Sequence, residues 1–185
     1  MTFSVRPYLP ADEPGWLRCR VLSFLSTQYY DDVKPSRTAF DLPAVSVVAE
    51  ADDGTIAGLL DIEIDGPAAT IDTVAVHPDH ARQGIATALL DAALTQVREA
   101  GATVLDAWTR EDQAANAWYL GSGFVENFRY LHVYKHGDEP ADGFTTPDGL
   151  SAPVIAFLHA DIVREAEMRA RFARVHVCRQ YLRHL

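Results

Sequence analysis

Residues 74–87 run Val74-Ala75-Val76-His77-Pro78-Asp79-His80-Ala81-Arg82-Gln83-Gly84-Ile85-Ala86-Thr87. An apolar strand ends at Pro78, a short polar loop follows, and a helix begins at about Gly84. The first turn of a helix carries backbone N–H groups without internal partners and the positive end of the dipole. Where small residues let a phosphate approach, such a turn binds anions. Gly84 and Ala86 are small, and Arg82 and Gln83 add side-chain donors. The cradle suits a pyrophosphate. An ordinary tight turn competes with that assignment when the segment is taken alone. A Walker loop is excluded because no Gly-Lys-Ser/Thr element is present. A dinucleotide fingerprint fits poorly, since Gly84 lacks a preceding Gly-x-Gly and the flanking strands look antiparallel.

Upstream, residues 16–30 place Leu17, Val21, Leu22, Phe24 and Leu25 at roughly helical spacing. Residues 45–50 and 55–64 read as strands joined by the hairpin signal Asp52-Asp53-Gly54. A second turn, Asp65-Gly66-Pro67, leads into a strand from Thr70 to Val76. Downstream, residues 84–100 are rich in Ala and Leu, contain no proline and precede Gly101, which makes a helix with a glycine C-cap. A strand at 103–109 and a helix at 112–122 follow, with Asp112 as N-cap. Another strand opens at Gly123-Phe124 and runs to about His136. Residues 137–149 are loop by composition. A surface helix at 163–172 sets Glu165 over Arg169 and Glu167 over Arg171. The tail at 174–182 alternates as a final strand would, with continuation of the helix as its alternative.

The chain has 185 residues, 48% hydrophobic and 23% charged, which describes one soluble globular domain over 1–185. Residues 137–172 are expected as an insertion before the final strand. Cys19 and Cys178 are the two cysteines, far apart, so neither a disulfide framework nor a zinc site is indicated, and a reducing cytoplasm is the natural compartment. The start lacks the basic and apolar regions of a signal peptide. No apolar run approaches the ~20 residues needed to span a membrane. The net charge of −10 argues against nucleic acid as partner and would attract cationic small molecules, amines included. Homodimerisation is left open.

The 74–87 segment resembles the pyrophosphate-binding motif of the GNAT superfamily of N-acetyltransferases. Val76-His77-Pro78 matches the strand-ending turn of that motif, and Gly84-x-Ala86 its pair of small residues. The family's Arg or Gln position is Ala81 here, with Arg82 next to it. A second element agrees: strand TVLDAWT, helix DQAANAWY, then Leu120-Gly121-Ser122-Gly123-Phe124 are similar to the superfamily's later motif. The asparagine common near that helix start is Asp112 here. The resemblance covers residues 1–136 well and the remainder poorly. It implies an α/β fold with a mixed, mainly antiparallel, splayed sheet of about six or seven strands flanked by helices.

The resemblance also implies acetyl-CoA as acyl donor, with no metal. Arg82, Gln83, Gly84, Ile85, Ala86 and Thr87 would hold its pyrophosphate. Val74 and Val76 would pair their main chain with pantetheine, and Asn116 would supply a polar contact in place of the missing asparagine. Tyr119 falls on the tyrosine that serves as general acid, protonating the CoA thiolate after direct attack by an amine. Asp61 and Glu63 alternate on one strand and face one side. Asp72 would share a face with Val74 and Val76. These three carboxylates, with Tyr29 and Tyr30 after the first helix, are the substrate-side candidates. His77 and His80 have no carboxylate or thiol at ligand spacing, so a metal site is not expected there. A primary amine of a small molecule is the expected acceptor. The competing functions are a non-catalytic acyl-CoA sensor or structural module, a longer acyl donor, and a protein amine as acceptor.

Overall fold

The computed structural model describes residues 2–185. β2 (Ala44–Ala51), β3 (Ile56–Asp65) and β4 (Ala68–Val76) form the expected antiparallel meander. Gly54 N–H donates to the Ala51 carbonyl at 2.9 Å to close the first turn. β1 (Phe3–Pro7) adds antiparallel to β2, and sequence reading missed it because a strand of 5 residues ending in proline shows little alternation. α1 (Glu13–Phe24) starts earlier than expected, with Pro14 in its first turn where a missing N–H costs little. It also stops earlier. The Thr27 hydroxyl donates to the Phe24 carbonyl and accepts the Tyr29 N–H, so a side chain takes over the backbone's bonds.

α2 (Ile85–Glu99) buries Ile85, Leu89, Leu90, Ala93, Leu94 and Val97, a stripe at helical spacing that packs on Leu60 and Ile62 of β3. Each fully buried leucine is worth roughly 1.5–3 kcal/mol. The helix closes at Gly101, whose φ of +92° brings its N–H to the Arg98 carbonyl and that of Ala102 to Val97. α1 covers the opposite face of the sheet, where Trp16 and Cys19 meet Val48, Leu59 and Ala75. With a helix on each side, β3 is buried on both faces, and its Ile56–Leu60 run is accordingly unbroken by polar residues.

The chain continues through β5 (Val104–Thr109), α3 (Gln113–Gly121), β6 (Val125–His136), β7 (Ile155–Ala160), α4 (Glu165–Arg171) and β8 (Arg174–His184). The fold is α/β, with one mixed sheet of eight strands in the order β1-β2-β3-β4-β5-β8-β6-β7. β1 and β7 at its edges take the count above the expected six or seven. β4 and β5 are parallel, and every other pairing among the described residues is antiparallel. The tail is a strand, β8, seated between β5 and β6. Within 137–172, a coil to residue 154 precedes β7, which extends the sheet, and Met168 of α4 with Phe172 just beyond it packs on Leu131 and Val133. Glu165 pairs with Arg169 at 2.8 Å and Glu167 with Arg171 at 3.7 Å, as the spacing predicts.

Candidate functional site

β4 and β5 stay paired only from Ala68–Val104 to Ile71–Ala107. At the same level the β3–β4 register shifts, so that Asp61 opposes Thr73 while Ile62 opposes Ile71, and Asp72 is left over as a bulge. A bulge bends and twists the strand that carries it. Past it, β4 keeps β3 as neighbour and parts from β5, and a V-shaped gap opens. His77 N–H donates to Ala57 O at 2.9 Å, which makes residues 77, 75 and 73 the ones whose main chain faces β3. Val74 and Val76 therefore turn their N–H and C=O groups into the gap. The Val76 carbonyl accepts from the Ser23 hydroxyl of α1 at 2.5 Å rather than from β3.

The gap is part of a cavity of about 650 Å³ that reaches the start of α2. A 3₁₀ turn at Pro78–His80 leads to Arg82 and Gly84, both with positive φ, +61° and +78°. Ala88 makes the first internal bond of the helix, to Gly84 O at 3.0 Å. The N–H groups of Ile85, Ala86 and Thr87 precede it and have no helical partner. A Cβ at Gly84 would meet nothing within 4 Å, so the approach to these donors is open. Arg82, Gly84, Ile85, Ala86 and Thr87 line the cavity, whereas Gln83 is exposed outside it. The chemistry of this lip, unpaired donors beside an arginine, fits a phosphate.

α3 forms the opposite wall. Asp112 caps it by accepting the Ala115 N–H at 2.7 Å. Asn116 points away from the cavity. Its carboxamide donates to Arg110 O (2.8 Å) and Asp112 O (2.6 Å) and accepts from the Tyr181 hydroxyl (2.7 Å), so it ties α3 to β8. Tyr119 lines the cavity, its ring parallel to Tyr181 at 5.3 Å and edge-on to Trp118 and Phe124. Burial pushes its phenol pKa up, so the group keeps its proton at neutral pH. Its hydroxyl has no side-chain hydrogen-bond partner among the described residues. Trp118 donates to the Thr87 hydroxyl at 3.2 Å, joining this wall to the α2 lip.

The α1 side is built by Ser23, Phe24, Thr27, Tyr29, Asp32 and Lys34. Tyr29 is held there by its hydroxyl, which accepts the Arg110 N–H at 2.9 Å, and by the Arg110 guanidinium 4.1 Å over its ring. Tyr30 lies outside, half exposed beneath Arg174. The carboxylates are arranged differently from the expectation. The bulge breaks the alternation of β4, so Asp72 does not share a face with Val74 and Val76. It reaches the cavity from the α1 side, accepting from Lys34 (3.2 Å), Thr38 (3.2 Å) and Thr73 (2.8 Å). Asp61 is fully buried outside the cavity, paired with Arg37 at 2.5 Å and accepting the Trp16 indole N–H at 2.9 Å. Glu63 is half-buried and also outside.

Sequence reading missed the Asp32–Arg20 pair (2.9 Å), Lys34 and Trp108, all of which line the cavity. The charged, aperiodic run Tyr29–Arg37 was the available signal. Cys19 and Cys178 are buried, and burial raises both thiols, Cys19 to about 12, which disqualifies them as nucleophiles. Among the described residues no cluster of three or more His, Cys, Asp or Glu is arranged to hold a metal. His77 Nδ1 instead accepts the Asp79 N–H at 3.3 Å.

The model of the acetyltransferase (GNAT) family matches residues 13–124. A GNAT-family acetyltransferase from Staphylococcus aureus Mu50 superposes with a TM-score of 0.62 at 16% identity, covering 100% of this chain and 99% of that one. The PaiA N-acetyltransferase of Thermoplasma acidophilum, solved with coenzyme A, gives 0.58 at 16% identity over 69% of this chain and 92% of its own. A putative streptothricin acetyltransferase from Bacillus anthracis str. Ames, solved with acetyl coenzyme A, gives 0.59 at 14% identity over 100% and 98%. No curated protein matches the sequence.

Proposed function

The chain belongs to the acetyltransferase (GNAT) family, and from that membership we propose that it moves the acetyl group of acetyl-CoA onto a primary amine of a small molecule. One observation carries the proposal. The unpaired N–H groups of the α2 lip, the main chain of Val74 and Val76, and the Tyr119 phenol all border a single cavity. Acetyl-CoA supplies the activated acyl group. Arg82 and the N–H groups of Gly84, Ile85, Ala86 and Thr87 hold its pyrophosphate, and Gln83, exposed outside the cavity, has no part in it. Val74 and Val76 bind pantetheine as an added strand would, and a main-chain N–H near Val74 polarises the thioester carbonyl.

The neutral amine attacks that carbonyl, and Tyr119 gives its proton to the departing thiolate. A raised pKa keeps the phenol protonated until charge develops on sulfur. Asp72 and Asp32 border the α1 side of the cavity, paired with Lys34 and Arg20, and the net charge of −10 on the chain draws the amine in as a cation. Asp72 is the better placed of the two to take the ammonium proton, directly or through water, because it sits at the bulge where the gap opens. Asp61 acts at one remove by fixing Arg37 and Trp16, and Asn116 by fixing α3; Glu63 and Tyr30 have no part in this scheme.

We read residues 1–185 as a single domain, with 137–172 elaborating the sheet before β8. Buried free thiols suit the cytoplasm, and no helix among the described residues is long and apolar enough to cross a membrane. The test is a CoA-release screen with acetyl-CoA against amines, amino acids, polyamines and aminoglycosides. Amine-dependent release is expected. Acetyl-CoA binding without release for any amine would make the protein a binding module instead.

A further inference from the structure

Trp108 belongs to two surfaces. It lines the cavity, and its ring meets Tyr130 edge-on at 5.6 Å and Phe128 at 6.3 Å. From there π surfaces continue over one face of β6 and β7. Phe128 and Tyr130 are stacked at 6.0 Å, His132 and His159 at 5.2 Å, and Phe157 stands edge-on to both imidazoles. The other face of these strands is closed by Met168 and Phe172. Among the described residues no helix covers this face, and Trp108, Phe128 and Phe157 are 39%, 53% and 51% exposed. Large exposed apolar patches are uncommon on soluble proteins and mark binding surfaces.

We propose that Trp108, Phe128 and Tyr130 form a platform for the acceptor, which is therefore an amine carrying an aromatic ring. The inference rests on the acetyltransferase reading and names its substrate class. The donor-binding groups occupy the α2 and α3 side of the cavity, so a molecule that enters past Trp108 and reaches the reacting carbon is the acceptor. Its amine reaches toward Asp72 while its ring stays on the platform. The indole is held in place for this role: Trp108 donates to Asp106 at 3.1 Å, and Gln180 donates to the same carboxylate oxygen at 2.9 Å. The imidazole beyond is uncharged. Burial first, then Arg110 and the neighbouring histidines, hold the His132 pKa down to about 3, and its Nδ1 accepts from Arg110 Nε at 3.3 Å. Trp108, Phe128 and Tyr130 thus offer a π surface on which an aromatic ring stacks.

The test compares CoA release with 2-phenylethylamine and 2-cyclohexylethylamine, amines of equal chain length that differ in the ring. The wild type is expected to favour the aryl amine by about tenfold in kcat/KM, and Phe128→Leu to cut that preference about threefold or more. Phe128→Tyr should restore it. Equal kcat/KM for the two amines in the wild type, or an equal loss of both in Phe128→Leu, overturns the platform. If neither amine releases CoA, 2-phenylethylamine is titrated calorimetrically into the protein with coenzyme A. Binding that Phe128→Leu weakens, with no CoA release from any amine of the screen, keeps the platform and sinks the transferase reading; no binding overturns the platform. A dimer that Phe128→Leu dissociates, with the aryl preference intact, assigns the face to a second copy and also overturns it.

Discussion

Replacing Gly84 by glutamate separates a phosphate site from an ordinary turn. The backbone there has a φ of +78°, where an L side chain costs roughly 1–2 kcal/mol. Space is not the obstacle, because an added Cβ meets nothing within 4 Å. The fold should therefore persist, with Tm lower by about 2–8 °C. Binding should suffer more. A carboxylate ~6 Å from a phosphate charge is repelled by about 0.7 kcal/mol even in water, and a pyrophosphate offers about two such charges. The sum, ~1.4 kcal/mol, is a tenfold loss of affinity, and the lower dielectric of the cleft makes tenfold a floor. Calorimetric titration with acetyl-CoA at two salt concentrations measures it, with Gly84→Ala as control for the backbone cost alone. Gly84→Glu should bind at least tenfold more weakly than Gly84→Ala, with a gap that narrows as salt rises. Equal affinities in the two folded variants would refute a phosphate at this lip.

Asp61→Asn takes the counter-ion from a half-buried Arg37, so unfolding in urea should show a loss of about 1–3 kcal/mol, with acetyl-CoA affinity preserved. A catalytic loss without destabilisation would return Asp61 to the list of bases. His132, with its folded pKa depressed to about 3, binds fewer protons folded than unfolded. Its contribution to stability is therefore complete above about pH 6.5 and is lost as pH falls toward 3, by roughly 1–2 kcal/mol between pH 7 and 5. His132→Asn should flatten that part of the stability profile, and NMR of the wild-type imidazole should show no titration above pH 5.

What sequence reading captured was local. The 74–87 turn, the α2 stripe with its glycine stop, and the Asp112 cap are each written within one helical turn of the residues they govern. What it missed depends on register and distant partners. Asp72 was placed on the wrong face because the bulge exists only in the pairing of β4 with β3. Asn116 sits one turn before Tyr119, as helical spacing indicates, but its oxygen is taken by Tyr181, from a strand whose position between β5 and β6 no local pattern reveals. β7 went unseen for a related reason: it is a 6-residue edge strand defined by its partner β6. The platform escaped notice too, since its rings come from two strands, β5 and β6, that meet only across β8.

Tyr119→Phe tests the central claim most directly. The change keeps the ring between Tyr181 and Trp118 and removes a hydroxyl that has no side-chain partner among the described residues, so stability and acetyl-CoA affinity should hardly move. Turnover with the best amine from the screen should fall by ~10²-fold or more if the phenol delivers its proton in the transition state. A fully active Tyr119→Phe variant would contradict the assignment of Tyr119 as the acid, and a variant that loses binding along with turnover would make its role structural.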